Sequence, residues 1–225
     1  MILGAPVAAL VFDFDGVLAD TEGLHCAAYQ SVLADIGIQL LPAAYFEHFL
    51  GLPDRDCLMA ACVREGQTPT AADIETLLAA KRARFAEHAA SAALYPGVEA
   101  MLQRVHRHFA LAIASGAFRD EIEPLLARAG VRALFAAIVG ADDVRQGKPA
   151  PDPFVAAVQA LNRDGVAVSA AQCVAIEDSP RGIVAAHAAG MRCVAVSTSH
   201  RRSELAAADA IIDQVADLRP EDFTT

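Results

Sequence analysis

Two acidic side chains, Asp13 and Asp15, stand two residues apart in the stretch LVFDFDGV and are followed by Gly16. In open α/β sheets ligands bind at the carboxyl ends of strands, so two acids directly after an apolar run are candidates for catalysis. The glycine allows a sharp turn where a ligand must approach the backbone. The same spacing is also typical of an ordinary strand end followed by an Asp turn, so the pair alone indicates only a candidate site.

Three later segments add polar groups suited to binding a phosphoryl group. Ser115 and Gly116 end the stretch LAIASG, where a hydroxyl and backbone N–H groups can bind phosphate, although Ser-Gly is also a common turn. Lys148 lies in GKPAPDPF, whose prolines restrict the chain, although a single lysine is more often a solvated surface residue. Glu177 and Asp178 end the stretch CVAIEDS, directly before a predicted helix.

The four acids together predict a metal site if their strands are neighbours. Asp13, Asp15, Glu177 and Asp178 would form a cluster of carboxylates, which repel one another unless a cation lies among them. Oxygen ligands without His or Cys at the same positions favour Mg²⁺.

Short apolar runs predict the strands that position these residues. The predicted strands are residues 7–12, 109–114, 136–139, 173–176 and 192–196, with a last short piece at 210–212. The predicted helices between them are residues 98–108, 120–129, 152–161 and 180–189. This alternation predicts an α/β fold with a doubly wound parallel sheet, in which ligands bind at the carboxyl ends of the strands.

A long helical block interrupts the alternation after the first strand. Its predicted helices are residues 24–36, 45–49, 54–64 and 71–90, and it contains no strand pattern. Such a block is too long for one crossover helix, so we predict an inserted helical domain. The expected division is a core of residues 1–20 and 93–225 and a helical cap domain of residues 21–92.

Four segments in this order carry a family resemblance. DFDGV at 13–17, Ser115, Lys148 and IEDS at 176–179 are similar to the four ordered motifs of the haloacid dehalogenase superfamily. KPAPDPF and DSPRGIVAAHAAGM resemble its branch of β-phosphoglucomutases and phosphoglycolate phosphatases. The resemblance covers nearly the whole chain and implies a Rossmann-like core with a helical cap inserted after the first motif.

The resemblance implies a role for each acid. Asp13 would be the nucleophile that forms an aspartyl-phosphate, and Asp15 would protonate the leaving oxygen and then deprotonate water. Mg²⁺ would be held by the Asp13 carboxylate, the Asp15 backbone carbonyl and Asp178. Glu177 would not bind the ion directly but would influence it by orienting its ligands. Members of the superfamily that cleave C–Cl bonds lack the second acid, so Asp15 favours phosphoryl transfer.

The same resemblance implies that Ser115, Gly116 and Lys148 hold the transferring phosphoryl group and offset its charge. In the cap, Glu22 and His25 occur in DTEGLH, a form common in this branch, where the histidine either touches substrate or packs at the hinge.

Two further cap segments resemble parts that set specificity in this branch. Gly51 and Arg55, in FLGLPDRD, resemble the specificity loop, where the arginine would bind a second anionic group or lie in solvent. Lys81, with Arg82 and Arg84, is predicted on a solvated helix face, although a lysine on the corresponding helix of the mutases contacts substrate.

Composition limits the partners of the chain. A net charge of −10 over 225 residues, with no basic patch, argues against nucleic acid or membrane surfaces as partners. No apolar run approaches the roughly 18 residues of a membrane span. Five cysteines without metal-binding spacing and the lack of a secretory pattern favour reduced thiols in the cytoplasm. We expect a monomer or weak homodimer that acts on a small phosphorylated molecule.

Three functions are compatible with these patterns. The leading prediction is a Mg²⁺-dependent phosphatase for a small metabolite, either a sugar phosphate or phosphoglycolate. A sugar phosphomutase of the β-phosphoglucomutase type differs in protecting the aspartyl-phosphate from water. A noncatalytic binding or regulatory protein on the same fold is the third possibility, and the presence of Asp13, Asp15, Lys148 and Asp178 argues against it.

Overall fold

The computed structural model describes residues 6–223, so the outermost ends of the predicted core, residues 1–5 and 224–225, lie outside the described residues. The chain divides into two compact units. One unit joins the segment that ends at Asp20 to the segment that begins at Ala93, and the other is Thr21–Ala92. Each unit is described below by itself.

The first unit contains a parallel sheet of six strands. In chain order these strands are β1 (Ala9–Phe12), β4 (Ala110–Ala114), β5 (Phe135–Val139), β6 (Cys173–Glu177), β7 (Arg192–Val196) and β8 (Ala210–Ile212). Their order in the sheet is β5-β4-β1-β6-β7-β8, and every neighbouring pair is parallel. The chain builds outward from β1 in both directions, which confirms the predicted doubly wound fold. In such sheets ligands bind outside the carboxyl ends of the strands where the winding reverses, here beside β1.

Helices cover this sheet because its strands are apolar on both faces. The four residues of β1 are fully buried, as expected for an inner parallel strand. The helices of the unit are α5 (Val98–Val105), α6 (Arg119–Arg128), α7 (Asp152–Arg163) and α8 (Pro180–Ala188). One of the buried clusters of this unit joins Phe154 and Leu161 of α7 to Ile183 of α8 and to the small residues of the strands.

A separate antiparallel pair is formed by β2 (Ala19–Asp20) and β3 (Ala93–Leu94). Ala19 pairs with Leu94 and Asp20 with Ala93, directly before and after the second unit. Two residues are too few to produce a strand pattern in the sequence, so these strands were not predicted.

The second unit is helical, as its sequence predicts. Its helices are α1 (Glu22–Ala34), α2 (Pro42–His48), α3 (Asp54–Arg64) and α4 (Ala71–His88). Helix α4 begins with a capping box, in which Thr70 Oγ1 accepts a bond from the Asp73 backbone N–H at 3.2 Å and Asp73 Oδ2 accepts one from the Thr70 N–H at 2.8 Å. An apolar core that includes Val32, Leu58 and Ile74 holds the helices together.

Several predicted helix ends were wrong by a few residues. Helix α1 begins at Glu22 and not at residue 24, because the Thr21 carbonyl already accepts bonds from the next turn. Helix α2 begins at Pro42 and not at residue 45, because proline is tolerated at the first helical position. Helix α5 ends at Val105 and not at residue 108, and the turn that follows it is closed by bonds from the His108 and Phe109 N–H groups to the Val105 carbonyl, both at 3.0 Å.

Within residues 6–223, none of the helices has both the length and the apolar composition that crossing a membrane requires. The five cysteines are buried free thiols.

Candidate active site

The turn after β1 places Asp13 between two neighbouring strands. The Asp13 backbone N–H donates to the carbonyl of Ile176 in β6 at 2.8 Å, so the ladder between β1 and β6 continues to this residue. The chain then folds back, and the Phe14 carbonyl accepts bonds from Leu18 and Ala19 at 2.8 and 3.0 Å. Gly16 makes this turn possible with a φ of +74°, which side chains with a Cβ rarely adopt.

Three of the predicted acids meet at this point. One carboxylate oxygen each from Asp13, Glu177 and Asp178 lies within 4.8 Å of the other two. All three residues are buried, and Glu177 is fully so. That the Asp15 carboxylate joins them in a cluster of four acids stays a prediction. Its charge acts on Asp13, so Asp15 is a close neighbour of the group.

Lys148 inserts its ammonium group among these acids. Its Nζ lies 2.8 Å from Asp13 Oδ1 and 2.5 Å from Glu177 Oε1, with only 11% of the side chain exposed. Arg181 supports the segment by donating a bond from Nη2 to the Lys148 carbonyl at 2.8 Å. A solvated surface position for Lys148 is therefore excluded.

Burial and charge together shift the pKa values of this group. Burial raises the pKa of Asp13 to about 7, and the charges of Glu177 and Asp15 act in the same direction while Lys148 opposes them. Burial alone would lower the pKa of Lys148, but the charges of Asp13 and Glu177 outweigh it and raise that pKa above its ordinary value. Lys148 therefore stays protonated, and a further cation near Asp13 would favour its ionised form.

Glu177 is held in one orientation by its own loop. Its Oε2 accepts bonds from the backbone N–H groups of Asp178 and Ser179 at 3.1 and 3.2 Å and from Ser179 Oγ at 3.0 Å. Ser179 in turn caps α8 by accepting a bond from the Gly182 N–H at 3.1 Å. A Cβ at Gly182 would lie only 1.8 to 2.0 Å from the Glu177 carboxyl atoms. Glycine at 182 is thus required for Glu177 to reach Lys148.

We expect Gly182→Ala to lower stability by about 1–3 kcal/mol, because the added methyl overpacks a buried site. Turnover should fall by about 10- to 100-fold, because Glu177 and Lys148 must move. Chemical unfolding and steady-state kinetics measure the two effects. The control is Gly23→Ala in α1, where a Cβ would meet no atom within 4 Å and stability should rise by a few tenths of a kcal/mol. Equal behaviour of the two variants would contradict the packing argument.

Ser115 and Gly116 follow β4, the other neighbour of β1. Ser115 is buried, its N–H donates to the Val139 carbonyl at 3.0 Å, and its Oγ accepts a bond from the Ala117 N–H at 3.1 Å. A Cβ at Gly116 would meet no atom within 4 Å, which leaves room beside this backbone. The arrangement can accommodate an anion next to the hydroxyl and the main chain.

The residues present fit a divalent cation. Three buried carboxylates balanced by a single ammonium leave an excess of negative charge, which is costly without a counter-ion. Their ligand atoms are all oxygens, which hard cations prefer. We infer a divalent metal site from this donor set.

The family model for haloacid dehalogenase-like hydrolases matches residues 10–196, which include every acid discussed above and Lys148. The chain belongs to this family.

Several curated relatives of the chain are phosphatases by name. The "Probable pseudouridine-5'-phosphatase" of Drosophila melanogaster is 34% identical and aligns over 95% of this chain and 92% of its own length. Fructose-1-phosphate phosphatase YqaB of Escherichia coli is 31% identical over 84% of this chain and 96% of its own length.

A solved structure of the family, that of a CbbY variant from Rhodobacter sphaeroides in complex with xylulose 1,5-bisphosphate, superposes with a TM-score of 0.84. It is 28% identical and covers 97% of this chain and 100% of its own.

The predicted cap residues belong to the helical unit, where His25 and Lys81 meet. Lys81 is 1% exposed, and its Nζ lies 2.8 Å from His25 Nδ1 and 2.8 and 3.0 Å from the two oxygens of Asp54. The Tyr29 hydroxyl donates to Asp54 Oδ1 at 2.5 Å, and the His25 ring stacks on Phe85 at 4.3 Å. The prediction that Lys81 lies on a solvated face was therefore wrong, because its charge is balanced by Asp54 inside the unit.

The other cap candidates have contacts of their own. Glu22 accepts a bond from the Tyr45 hydroxyl at 2.8 Å. Arg55 forms a surface ion pair with Glu75, and Gly51 occupies a left-handed turn with a φ of +74°.

Sequence reasoning missed several residues around the core acids. Besides Gly182 and Arg181, the loop after β7 contributes Thr198, Ser199 and His200, which all bond to the acid-bearing turns. Serine, threonine and histidine in a loop of the form STSH give no signal by which their partners could be found.

Proposed function

We propose that the protein is a Mg²⁺-dependent phosphatase that hydrolyses a small phosphorylated sugar or related metabolite through an aspartyl-phosphate at Asp13. The observation that carries this proposal is the buried group of Asp13, Glu177 and Asp178 at the carboxyl end of the central strand, with Lys148 paired to the first two. Charged groups are concentrated there at a cost to stability, which is typical of a site kept for chemistry.

In the first step, an oxygen of Asp13 attacks phosphorus while the bond from phosphorus to the leaving oxygen breaks. Asp15 gives its proton to that oxygen, so the product leaves as a neutral alcohol. In the second step, water attacks the phosphoryl group, Asp15 takes the proton back, and the bond to Asp13 breaks to release inorganic phosphate.

The other site residues hold the reacting group. Lys148 places its charge beside Asp13 and offsets the negative charge of the phosphoryl oxygens. Ser115 and the backbone at Gly116 bind the phosphoryl oxygens by hydrogen bonds. The Asp13 carboxylate, the Asp15 carbonyl and Asp178 would hold Mg²⁺, with Glu177 orienting Lys148 and the ligands. When bound, this ion supplies positive charge that stabilises the negative charge on the phosphoryl oxygens.

The relatives support a phosphorylated sugar as substrate. The Escherichia coli relative is named for fructose 1-phosphate, the fly relative for a nucleoside phosphate, and the CbbY variant was solved with a pentulose bisphosphate. All three ligands join a phosphate to a sugar. We therefore expect sugar phosphates to be better substrates than phosphoglycolate.

A screen of phosphorylated metabolites with phosphate release as readout tests this proposal. Fructose 1-phosphate, xylulose 1,5-bisphosphate, pseudouridine 5'-phosphate, phosphoglycolate and an aryl phosphate form the core panel. We expect Mg²⁺-dependent release that EDTA abolishes and excess Mg²⁺ restores. If no compound, including the aryl phosphate, releases phosphate, the noncatalytic alternative replaces the phosphatase.

The mutase alternative has a separate test. Two observations weigh against it: the segment Gly116-Ala117-Phe118 offers no side-chain hydrogen bond to a sugar, and the charge of Lys81 is already balanced by Asp54. We expect β-glucose 1-phosphate, given with a trace of the 1,6-bisphosphate, to yield free phosphate in ³¹P NMR spectra. Glucose 6-phosphate that accumulates faster than phosphate would identify a mutase.

A further inference from the structure

Three consecutive side chains after β7 bond to the two turns that carry the candidate metal ligands. We call residues 198–200 the ligand-supporting loop. Thr198 Oγ1 donates to the Gly16 carbonyl, and Ser199 Oγ donates to Asp178 Oδ2. His200 Nδ1 lies 3.0 Å from the Asp178 carbonyl and donates to it. Asp178 is thus bonded to this loop through both its main chain and its carboxylate.

The packing at Gly16 makes the contact between Ser199 and Asp178 tight. A Cβ built on Gly16 would lie 1.9 Å from Asp178 Oδ2 and 2.5 Å from Ser199 Oγ. The carboxylate oxygen, the hydroxyl and the glycine backbone therefore occupy one small space. Asp178 Oδ2 cannot turn toward a new partner unless one of these groups moves.

We propose that Ser199 is a positioning residue that makes Asp178 bind the divalent cation through one oxygen only, and that it thereby favours Mg²⁺ over Ca²⁺. A carboxylate that ligates through both oxygens must direct both at the ion. The Ser199 hydroxyl occupies one acceptor site of Oδ2 and the Gly16 backbone fills the space beside it, so an ion bound by both oxygens would have to displace this contact or enter the same crowded space.

The two ions differ in how much this restriction matters. Mg²⁺ takes six oxygens in near-ideal octahedral geometry and is usually bound through single carboxylate oxygens. Ca²⁺ is larger, takes six to eight oxygens and often uses both oxygens of one carboxylate. A fixed, monodentate Asp178 therefore suits Mg²⁺ and removes a ligand atom that Ca²⁺ would use. The inference rests on the divalent metal site of the proposed function.

Isothermal titration calorimetry on the full-length protein, with MgCl₂ and CaCl₂ as separate titrants, tests the inference without relying on turnover. For Ser199→Ala we expect Mg²⁺ to bind about 10-fold more weakly, because the hydroxyl that holds the metal ligand Asp178 in place is lost. Ca²⁺ affinity should stay the same or rise, so the preference shifts toward Ca²⁺ by about 10-fold or more. Ser199→Thr, which keeps the hydroxyl, should restore most of the wild-type preference.

Ser197→Ala is the matched control, because the Ser197 hydroxyl bonds to Ile212 and Asp213 and to none of the candidate ligands. It should leave both affinities unchanged. At saturating Mg²⁺, the kcat of Ser199→Ala should stay within about 3-fold of the wild-type value. The Mg²⁺ concentration that gives half-maximal activity should rise. A general loss of structure would lower kcat as well and would not produce this combination.

The outcomes separate this inference from the proposed function. Ser199→Ala with unchanged affinities, or with equal losses for Mg²⁺ and Ca²⁺, would overturn the role of Ser199 while leaving the metal site intact. A wild-type protein that binds neither ion would overturn the metal site and this inference together. If Ser199→Ala does not fold, Ser199→Cys, which keeps the shape with a weaker donor, serves for the same comparison.

Discussion

Replacing Asp13 by Asn should lower phosphatase turnover by about 10⁴-fold or more, because loss of a nucleophile removes the first chemical step. The substitution preserves the size of the side chain next to Lys148, so the fold should remain. Acid-quenched wild-type protein should carry a phosphoryl group on the peptide that contains Asp13, and the variant should carry none, as measured by mass spectrometry. Retention of more than about 5% of the rate, beyond what deamidation back to Asp explains, would refute the assignment.

The pKa of Asp13 predicts how this variant behaves without metal. In the folded protein the pKa is raised from 3.8 to about 7, so ionisation of Asp13 opposes folding, and stability should fall as pH rises between these values. Asn cannot ionise. In EDTA at pH 8, Asp13→Asn should therefore be at least as stable as the wild type, whereas at pH 4 the advantage should vanish.

Replacing Lys81 by Met should lower the stability of the helical unit by about 2–4 kcal/mol, because Asp54, with only 25% of its side chain exposed, would keep its charge without its partner. Urea unfolding followed by tyrosine fluorescence measures the change, since the chain has no tryptophan and Tyr29 and Tyr45 both lie in this unit. The control Arg84→Met removes ion pairs of 3.8 and 3.5 Å on the surface of the same helix and should cost less than about 1 kcal/mol. Similar losses for the two variants would contradict the importance of the buried pair.

The same ion pair has a defined pH dependence. Burial alone would raise the pKa of Asp54, but Lys81 and the Tyr29 hydroxyl outweigh it and lower that pKa below its ordinary value. The pair therefore stabilises the wild type at pH values above 3.8, and this contribution is lost as pH falls through the lowered pKa. In Lys81→Met the uncompensated Asp54 is relieved by protonation. The difference between wild type and variant should shrink from pH 7 to pH 4.

The sequence alone was sufficient to predict the parallel sheet and the acids at the carboxyl ends of its strands. Strands such as β1 are continuous apolar runs, which can be recognised in the sequence. Where such a run ends in DFD or ED, its acids come at the start of the next turn. Asp13 and Asp178 could therefore be found from their positions in the sequence. Parallel order then brought them together, because the carboxyl ends of neighbouring strands share one edge of the sheet.

The remaining features depend on contacts that leave no local pattern. The distance from Gly182 to Glu177 depends on how α8 follows β6, and Ser199 reaches Asp178 from a loop 21 residues further along the chain. Lys81 was misplaced for a related reason. A lysine between two arginines predicts a solvated face, and only the packing of α3 against α4 reveals that Asp54 provides a buried partner.

The short pair of β2 and β3 has a consequence for how the family can change. Asp20 and Ala93 face each other across an antiparallel ladder, so their Cα atoms are about 5 Å apart and a two-residue turn would be enough to join them. The ladder itself therefore sets no length for the segment between these two residues. We expect that residues 21–92 could be replaced by a short turn or by another inserted domain while the parallel sheet keeps its strand order.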